Sequence, residues 1–466
     1  MMNVLLISPP RENPQPAAFP PIGLGYIAAV LKNDGHKVRI MDAAAYSLKK
    51  IERLILEVNP EIVGLTCWTI ERGQTFKVAK LVREHVPNAK IIVGGQHATA
   101  FPEQMFKLAY ADVVVLGEGE RTTSELVRCI EQGGDIAGVN GIVYRNEKEV
   151  VYTQTRTLIE DLDTIPFPMY EDFDLPKYGG LPEKKSITTA IVSSRGCPYK
   201  CIFCSSAVFW KKRWRARSSE NVLAEIEWLY KDYQVRSFIF FDDFFFLNKD
   251  RAIEICQGII DRKLKVEWVA EGRVNLVDRE LLGWMKKAGC YRIDYGVESG
   301  SPEILKNINK KISVEQIRNA FRLTHELGMK PVAYLMVGNP GETEGTIHET
   351  VQLMHEIKPH YTNTGGILWI LPNTEIYETS KKLGIIDDDY WINNMETPFF
   401  TGEHSLEELK ELRNRLTLGL AKNRGSWKGY VMYLFRKCYD RSPLLQRFYH
   451  GPVVKNKIIL KYLLKG

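Results

Sequence analysis

The sequence predicts an α/β protein in three parts: a doubly wound parallel sheet, a partial (β/α)6 barrel, and a helical C-terminal region. Three observations carry this. Short β-branched runs alternate with helical patterns along the first third of the chain. Six further strand–helix repeats begin at "TTAIVSSRG". Beyond Thr379 the pattern is helical only. The expected boundaries are 1–148 for the first part, 149–185 for a linker, 186–378 for the barrel and 379–466 for the helical region.

A chain of 466 residues exceeds one ordinary domain. With 44% hydrophobic and 26% charged residues it is neither disordered nor a membrane bundle. No apolar run is long enough to span a bilayer, and "MMNVLLISPPRENP" lacks the basic start of a signal peptide. Eight cysteines are too few for a disulfide framework in a chain this long. Cys67, Cys129, Cys256, Cys290 and Cys438 are scattered, as ordinary thiols are. The expected location is the cytoplasm.

In the first part, "NVLLIS", "KVRIMDA", "EIVGLTCW", "IIVGG" and "ADVVVLGEG" read as strands. The helices between them are "IGLGYIAAVLKNDG", "LKKIERLILEV", "FKVAKLVREHV" and "PEQMFKLAY". Continuous β-branched strands flanked by helices indicate a parallel sheet covered on both faces. Its ligand belongs beyond the carboxyl ends of the strands. Those ends hold Ser8 and Pro9, Thr66 and Trp68, Gly94, Gly95 and His97, and Gly117 and Glu118. They read either as ordinary turns or as a bed for a nucleotide-like or tetrapyrrole ligand. A dinucleotide site is disfavoured, because no G-x-G-x-x-G follows the first strand.

"PPIGLGYIAAVLKNDGHKVRIMDA", "VGGQHATAFPE" and "VVVLGEGE", in that order, resemble the Rossmann-like cobalamin-binding domain that precedes certain radical S-adenosylmethionine enzymes. Many cobalamin proteins ligate cobalt through the histidine of D-x-H-x-x-G. Here Asp34, Gly35 and His36 are followed by Arg39 where that motif has glycine, at a helix-to-strand turn. His36 is therefore expected to be an exposed turn residue, and cobalt to lack a histidine on its lower face. The stretch "RTLIEDLDTIPFPMYEDFDLPKYGG" has little periodicity and reads as a linker on the surface.

The barrel opens on "SSRGCPYKCIFC". Thiolates bind iron and soft metals, and structural zinc wants four ligands. Three cysteines with no nearby fourth ligand fit a 4Fe–4S cluster with one open iron. The spacing of Cys197, Cys201 and Cys204, with Phe203 before the third, resembles the radical S-adenosylmethionine signature. That resemblance implies that the three cysteines hold the cluster and that its open iron binds S-adenosylmethionine. Reductive cleavage would then give a 5′-deoxyadenosyl radical.

The later strands are "RSFIFFDDFFF", "KVEWVAEGRVN", "YRIDYGVESG", "KPVAYLMVGNPGET" and "TGGILWILPNT". Polar residues sit where they end, as barrel active sites do: Asp242 and Asp243, Arg273 and Asn275, Glu298 and Ser299, Asn339 and Glu342. By resemblance, Asp242 or Asp243 accepts from the amino group of S-adenosylmethionine, and Glu298 faces its ribose or methionyl part. Lys310 meets its carboxylate, Arg273 belongs to the same cofactor set, and backbone at Phe203 and Gly338 lines the adenine. Asp243 reads equally as a helix cap and Lys310 as a solvated lysine. Cys290, Tyr295 and Trp268 read as packing.

The two parts together resemble cobalamin-dependent radical methylases acting on unactivated carbon. The same architecture serves anaerobic oxidative cyclisation and ring rearrangement, and the sequence does not separate these. A cobalamin- or cluster-binding sensor without catalysis is a further reading. An RNA methylthiotransferase would carry cysteines in its first domain, where this chain has only Cys67 and Cys129. The resemblance implies a small-molecule substrate and a low-potential donor such as flavodoxin or ferredoxin.

Ser405 and Glu408 form a capping pair before the amphipathic "LEELKELRNRLTLGLAKNRG". From Gly425 on, nine Lys/Arg face one acid, Asp440, among interleaved aromatics. The formal charge of +6 resides there, and the rest of the chain is slightly acidic. The tail reads as a solvated docked helix or as a contact for an anionic membrane surface or lipid-like substrate. Nucleic acid is disfavoured.

Overall fold

The computed structural model describes residues 1–12, 15–147, 149–422 and Leu434. The basic tail from Gly425, apart from Leu434, lies outside the described residues. The chain divides into two compact units. The first comprises Met1–Pro198, Ser205–Trp268 and Asp388–Thr397. The second comprises Tyr199–Cys204, Val269–Asp387 and the described residues from Pro398 on.

The first unit is built on a seven-stranded sheet. Its strands are β1 (Asn3–Ser8), β2 (Lys37–Asp42), β3 (Ile62–Thr66), β4 (Lys90–Gly94), β5 (Val113–Val115), β6 (Ile142–Asn146) and β7 (Glu149–Tyr152). Their order is β2-β1-β3-β4-β5-β6-β7. The first five are parallel, and β6 and β7 add an antiparallel edge. Parallel strands covered on both faces should read as continuous apolar runs. Val4 to Ile7 of β1 and Ile91 to Val93 of β4 are accordingly buried throughout. The chain leaves β1 to one side for β2 and to the other for β3. Ligands bind at the crevice such a reversal opens.

Two boundaries differ from expectation. β7 carries the sheet to Tyr152, past the expected end at 148. The expected surface linker is instead nailed down by Ile159, Leu162, Tyr170, Phe173, Leu175 and Leu181, all buried. The Tyr170 hydroxyl donates to Ala190 O at 3.3 Å. These anchors follow no helical or strand period, so periodicity could not reveal them. The segment Asp388–Thr397, expected in the C-terminal region, also belongs to the first unit. Trp391 is fully buried there against Phe101 and His97.

The first unit also contains β8 (Thr188–Ile191), parallel to β11 (Ser237–Phe240), and a two-stranded ribbon of β9 (Ser194–Arg195) and β10 (Arg215–Ala216). β12 (Glu267–Gly272) runs across the division. In the second unit β13 (Cys290–Glu298), β14 (Lys330–Val337) and β15 (Tyr361–Ile367) pair in parallel. All six strands expected of the barrel are thus present, each reached through a helix or turn. Tyr295 and Trp268 are core residues, as the pattern suggested. Burying an aromatic side chain of this size contributes roughly 1.5–3 kcal/mol. The helix Leu406–Lys422 is capped as read: Glu408 N donates to Ser405 Oγ at 3.3 Å, and Ser405 N to Glu408 Oε2 at 2.7 Å.

Candidate active site

A cavity of about 430 Å³ opens in the first unit, walled entirely by that unit's residues. Its floor is one face of the sheet: Val4 and Leu6 of β1, Ile62 and Gly64 of β3, Ile92 of β4 and Val115 of β5. The period-2 pleat puts these on one side. The helices Ile22–Asn33 and Gly119–Glu131 form its sides through residues such as Tyr26 and Thr123. Thr66, Trp68, Gly94, Gly95, Gly117 and Glu118 line it, as expected. A Cβ built at Gly23 or Gly117 would meet nothing within 4 Å. Gly117 also has φ +70°, a conformation side chains resist. These glycines therefore hold space open. Trp68 at 47% exposure and Phe241 at 50% offer flat apolar faces on the wall. The wall thus offers flat apolar faces beside small, open glycine positions.

Ser8, Pro9 and His97 are not on the wall. His97 is fully buried, with Nδ1 3.3 Å from Thr69 Oγ1 and Nε2 3.3 Å from Gln104 Oε1. Burial, then the nearby Arg72 charge, push it down to about 3, so it stays neutral. Gly95, at φ +108°, starts a short helix that turns this side chain into the core. His36 is also a correction. It sits at the expected turn but is buried, its Nδ1 accepting from Met2 N at 3.3 Å.

A charged network that the sequence did not disclose closes one side of the cavity. Arg195 Nη1 donates to Glu118 Oε1 at 2.7 Å and Nη2 to Glu120 Oε1 at 2.6 Å. Arg215 Nη1 donates to Glu118 Oε2 at 2.9 Å. All four side chains are at least nine-tenths buried. The network ties "GEGE" to "SRGC", which only the fold brings together. Removing one partner from a buried pair costs about 3–5 kcal/mol.

Asp242 and Asp243 part company. Asp242 is buried and accepts from Ser193 N at 2.7 Å, Ser193 Oγ at 2.5 Å and Ser194 Oγ at 2.7 Å. Burial raises its pKa. It braces the strand ends and has no face toward a ligand. Asp243 is exposed, lines the cavity, and accepts from Gly196 N at 3.0 Å and Ser206 Oγ at 2.5 Å. Gly196 has φ +90°, and a Cβ there would lie 2.0 Å from Arg213 O. Only glycine fits immediately before Cys197.

In the second unit, Tyr199–Cys204 is held by its own partners. Ile202 N donates to Ile308 O at 3.2 Å, Ile376 N to Ile202 O at 3.1 Å, and Asn309 Nδ2 to Lys200 O at 2.7 Å. Cys201 and Cys204 share a tight turn, Cys204 N donating to Cys201 O at 3.2 Å. Arg273 is buried. Its guanidinium lies 3.7 Å from the Tyr199 ring centroid, and Nη1 is 3.7 Å from Cys201 Sγ. Lys310 Nζ donates to Glu298 Oε1 at 2.7 Å and lies 6.0 Å from the Phe203 ring centroid. Lys310 is thus not a solvated lysine. Glu298 has φ +65°, a strained setting for a glutamate. A Cβ at Gly296 would come within 2.8 Å of both charged groups, so glycine makes room for the pair. The structure therefore gathers Cys201, Phe203, Arg273, Glu298 and Lys310. Gly338 sits in a neighbouring turn, its N donating to Glu342 Oε2 at 2.6 Å.

Cys197, Cys201 and Cys204 are half-buried and in no disulfide. Thiolate is a donor type that iron takes, and the charged pair near Phe203 suits an amino acid moiety.

Comparison with known proteins bears on the family and the fold. Residues 191–354 match the Radical SAM superfamily and residues 16–127 the B12 binding domain. An uncharacterized methyltransferase of Pyrococcus horikoshii is 34% identical over 387 residues, covering 81% of this chain and 83% of the relative. An anaerobic magnesium-protoporphyrin IX monomethyl ester cyclase of Rubrivivax gelatinosus is 30% identical, covering 96% and 78%. Two solved structures share the fold at low identity. The radical S-adenosylmethionine methyltransferase TsrM from Kitasatospora setae is 20% identical, with a TM-score of 0.69 over 82% of this chain and 76% of that one. The cobalamin-dependent S-adenosylmethionine radical enzyme OxsB is 19% identical, with a TM-score of 0.74 over 100% and 72%. The expected class, a doubly wound sheet followed by a half-barrel of parallel strands, is the observed one. The chain belongs to the radical S-adenosylmethionine enzymes that carry an N-terminal cobalamin-binding domain, and its cofactors are a 4Fe–4S cluster, S-adenosylmethionine and cobalamin.

Proposed function

We propose that this enzyme methylates an unactivated carbon of a small molecule. The observation that carries the reading is where the two candidate imidazoles go. His97 has both ring nitrogens engaged in the core, and the His36 ring accepts from Met2 N. A cobalt without a protein imidazole suits methyl transfer. The Pyrococcus horikoshii relative, named a methyltransferase, supports the same reading.

When bound, the cluster and S-adenosylmethionine supply a 5′-deoxyadenosyl radical, and cobalamin supplies the methyl group. Cys197, Cys201 and Cys204 would hold the cluster. Lys310 would meet the carboxylate of S-adenosylmethionine and Glu298 its ribose or methionyl part. Asp243, not Asp242, would take its amino group, since only Asp243 has an open face. Phe203 and Gly338 would border the adenine. The glycine cradle in the first unit would seat cobalamin, with Trp68 against it. Electrons would come from a low-potential carrier such as flavodoxin or ferredoxin. The tail from Gly425 would contact an anionic membrane surface or lipid-like substrate.

A second reading is oxidative cyclisation, favoured by the Rubrivivax gelatinosus cyclase relative. One experiment separates the two. The enzyme is incubated anaerobically with cell extract and methyl-deuterated S-adenosylmethionine, and products are read by mass spectrometry. Methylation predicts a product carrying the labelled methyl. A product that has lost hydrogens and carries no label would replace it with cyclisation.

A further inference from the structure

Arg273 does more in this fold than an ordinary buried arginine needs to. Its Nη2 donates to Lys310 O, its Nε to Asn275 Oδ1 at 3.2 Å, and its plane stacks on Tyr199. The remaining nitrogen, Nη1, is aimed at Cys201 Sγ at 3.7 Å, within hydrogen-bond reach of a sulfur acceptor. The side chain is 4% exposed, so water screens this contact little. Three fixed partners leave the guanidinium one orientation. The segment it grips is itself constrained: Asn309 and Lys311 both have positive φ, at 52° and 51°.

We propose that Arg273 is a positioning residue that sets the reduction potential of the cluster through an N–H···S bond to Cys201. The inference rests on Cys201 holding iron. An N–H donor and a full positive charge beside a ligating thiolate stabilise the reduced cluster, which carries one more negative charge. Lysine would keep the charge but not the planar fork. Glutamine would lose the charge.

The test is a redox titration of the reconstituted full-length enzyme without S-adenosylmethionine, followed by paramagnetic resonance of the reduced cluster. Wild type, R273K and R273Q are compared, with iron content measured on each. At a fixed poise the reduced-to-oxidised ratio should fall about tenfold in R273Q, equivalent to about 59 mV for one electron. R273K should fall between. Equal potentials in whichever variant keeps its cluster would overturn the inference. So would loss of the cluster from R273K, which would make Arg273 a structural staple. Failure of the underlying reading looks different: C201A would then bind as much iron as wild type.

Discussion

At the residue scale, two histidines show how far composition and position can mislead. His97 lies in "GGQHAT", at the carboxyl end of a strand where a ligand is expected. Its neighbour Gly95 reverses the chain, and the ring packs on Phe101 and Trp391 instead. Trp391 is almost three hundred residues away in sequence, so no local pattern could announce it. The spacing of Cys197, Cys201 and Cys204 was legible because it matches a signature of the matched family, the Radical SAM superfamily. Arg195 and Glu120 were not, because a buried ion pair demands only that the fold join them. A residue-scale expectation follows. His97→Ala should leave the cobalamin dissociation constant within about twofold of wild type, since its ring is not on the cavity wall. It should cost about 2–4 kcal/mol of stability, through lost packing and an unpartnered Gln104. Absorbance titration and chemical unfolding measure the two. Nitrogen splitting in the cobalt(II) resonance that vanishes in this variant would restore His97 as a ligand.

At the scale of elements, regular pieces were legible and irregular ones were not. The alternation of apolar runs located β1 to β5, and the capping pair located the helix from Leu406. The stretch from 149 to 185 read as a surface linker because its buried anchors follow no period. The turn after β14 carries a testable device. Glu342 is buried and accepts from Gly338 N, Asn339 N and Asn339 Nδ2. Burial outweighs these donors and pushes its pKa up to about 7. A raised carboxyl pKa means the folded state binds the proton more tightly than the unfolded chain. Its contribution is therefore present below the unfolded value of 4.5 and is lost as pH rises through about 7. Between pH 5 and 8 the wild type should lose on the order of 2–3 kcal/mol from this group. Glu342→Gln should flatten that slope. Unfolding midpoints across the pH series measure it, and an unchanged slope in the variant would assign the pH dependence elsewhere.

At the scale of the whole molecule, the question is which thiols serve iron. Burial pushes the Cys67 and Cys256 thiols up to about 12, which leaves them protonated and inert. Cys290 is buried in β13, its Sγ donating to Arg292 O at 3.4 Å. Cys197, Cys201 and Cys204 lie within eight consecutive residues, partly open and in no disulfide. The wall of the cavity in the first unit contains none of the three. Changing all three to alanine should therefore separate the two cofactors. Anaerobic reconstitution of the triple variant should leave iron at background and abolish 5′-deoxyadenosine formation, while cobalamin still binds with wild-type stoichiometry. The Cys290→Ala control should keep its iron. Alanine at these positions deletes only a thiol from half-buried sites, and the glycine before Cys197 is untouched, so the loop backbone is not forced to move. Iron retained by the triple variant would send the cluster to other ligands. Cobalamin lost together with iron would mean that the cradle in the first unit does not hold cobalamin by itself.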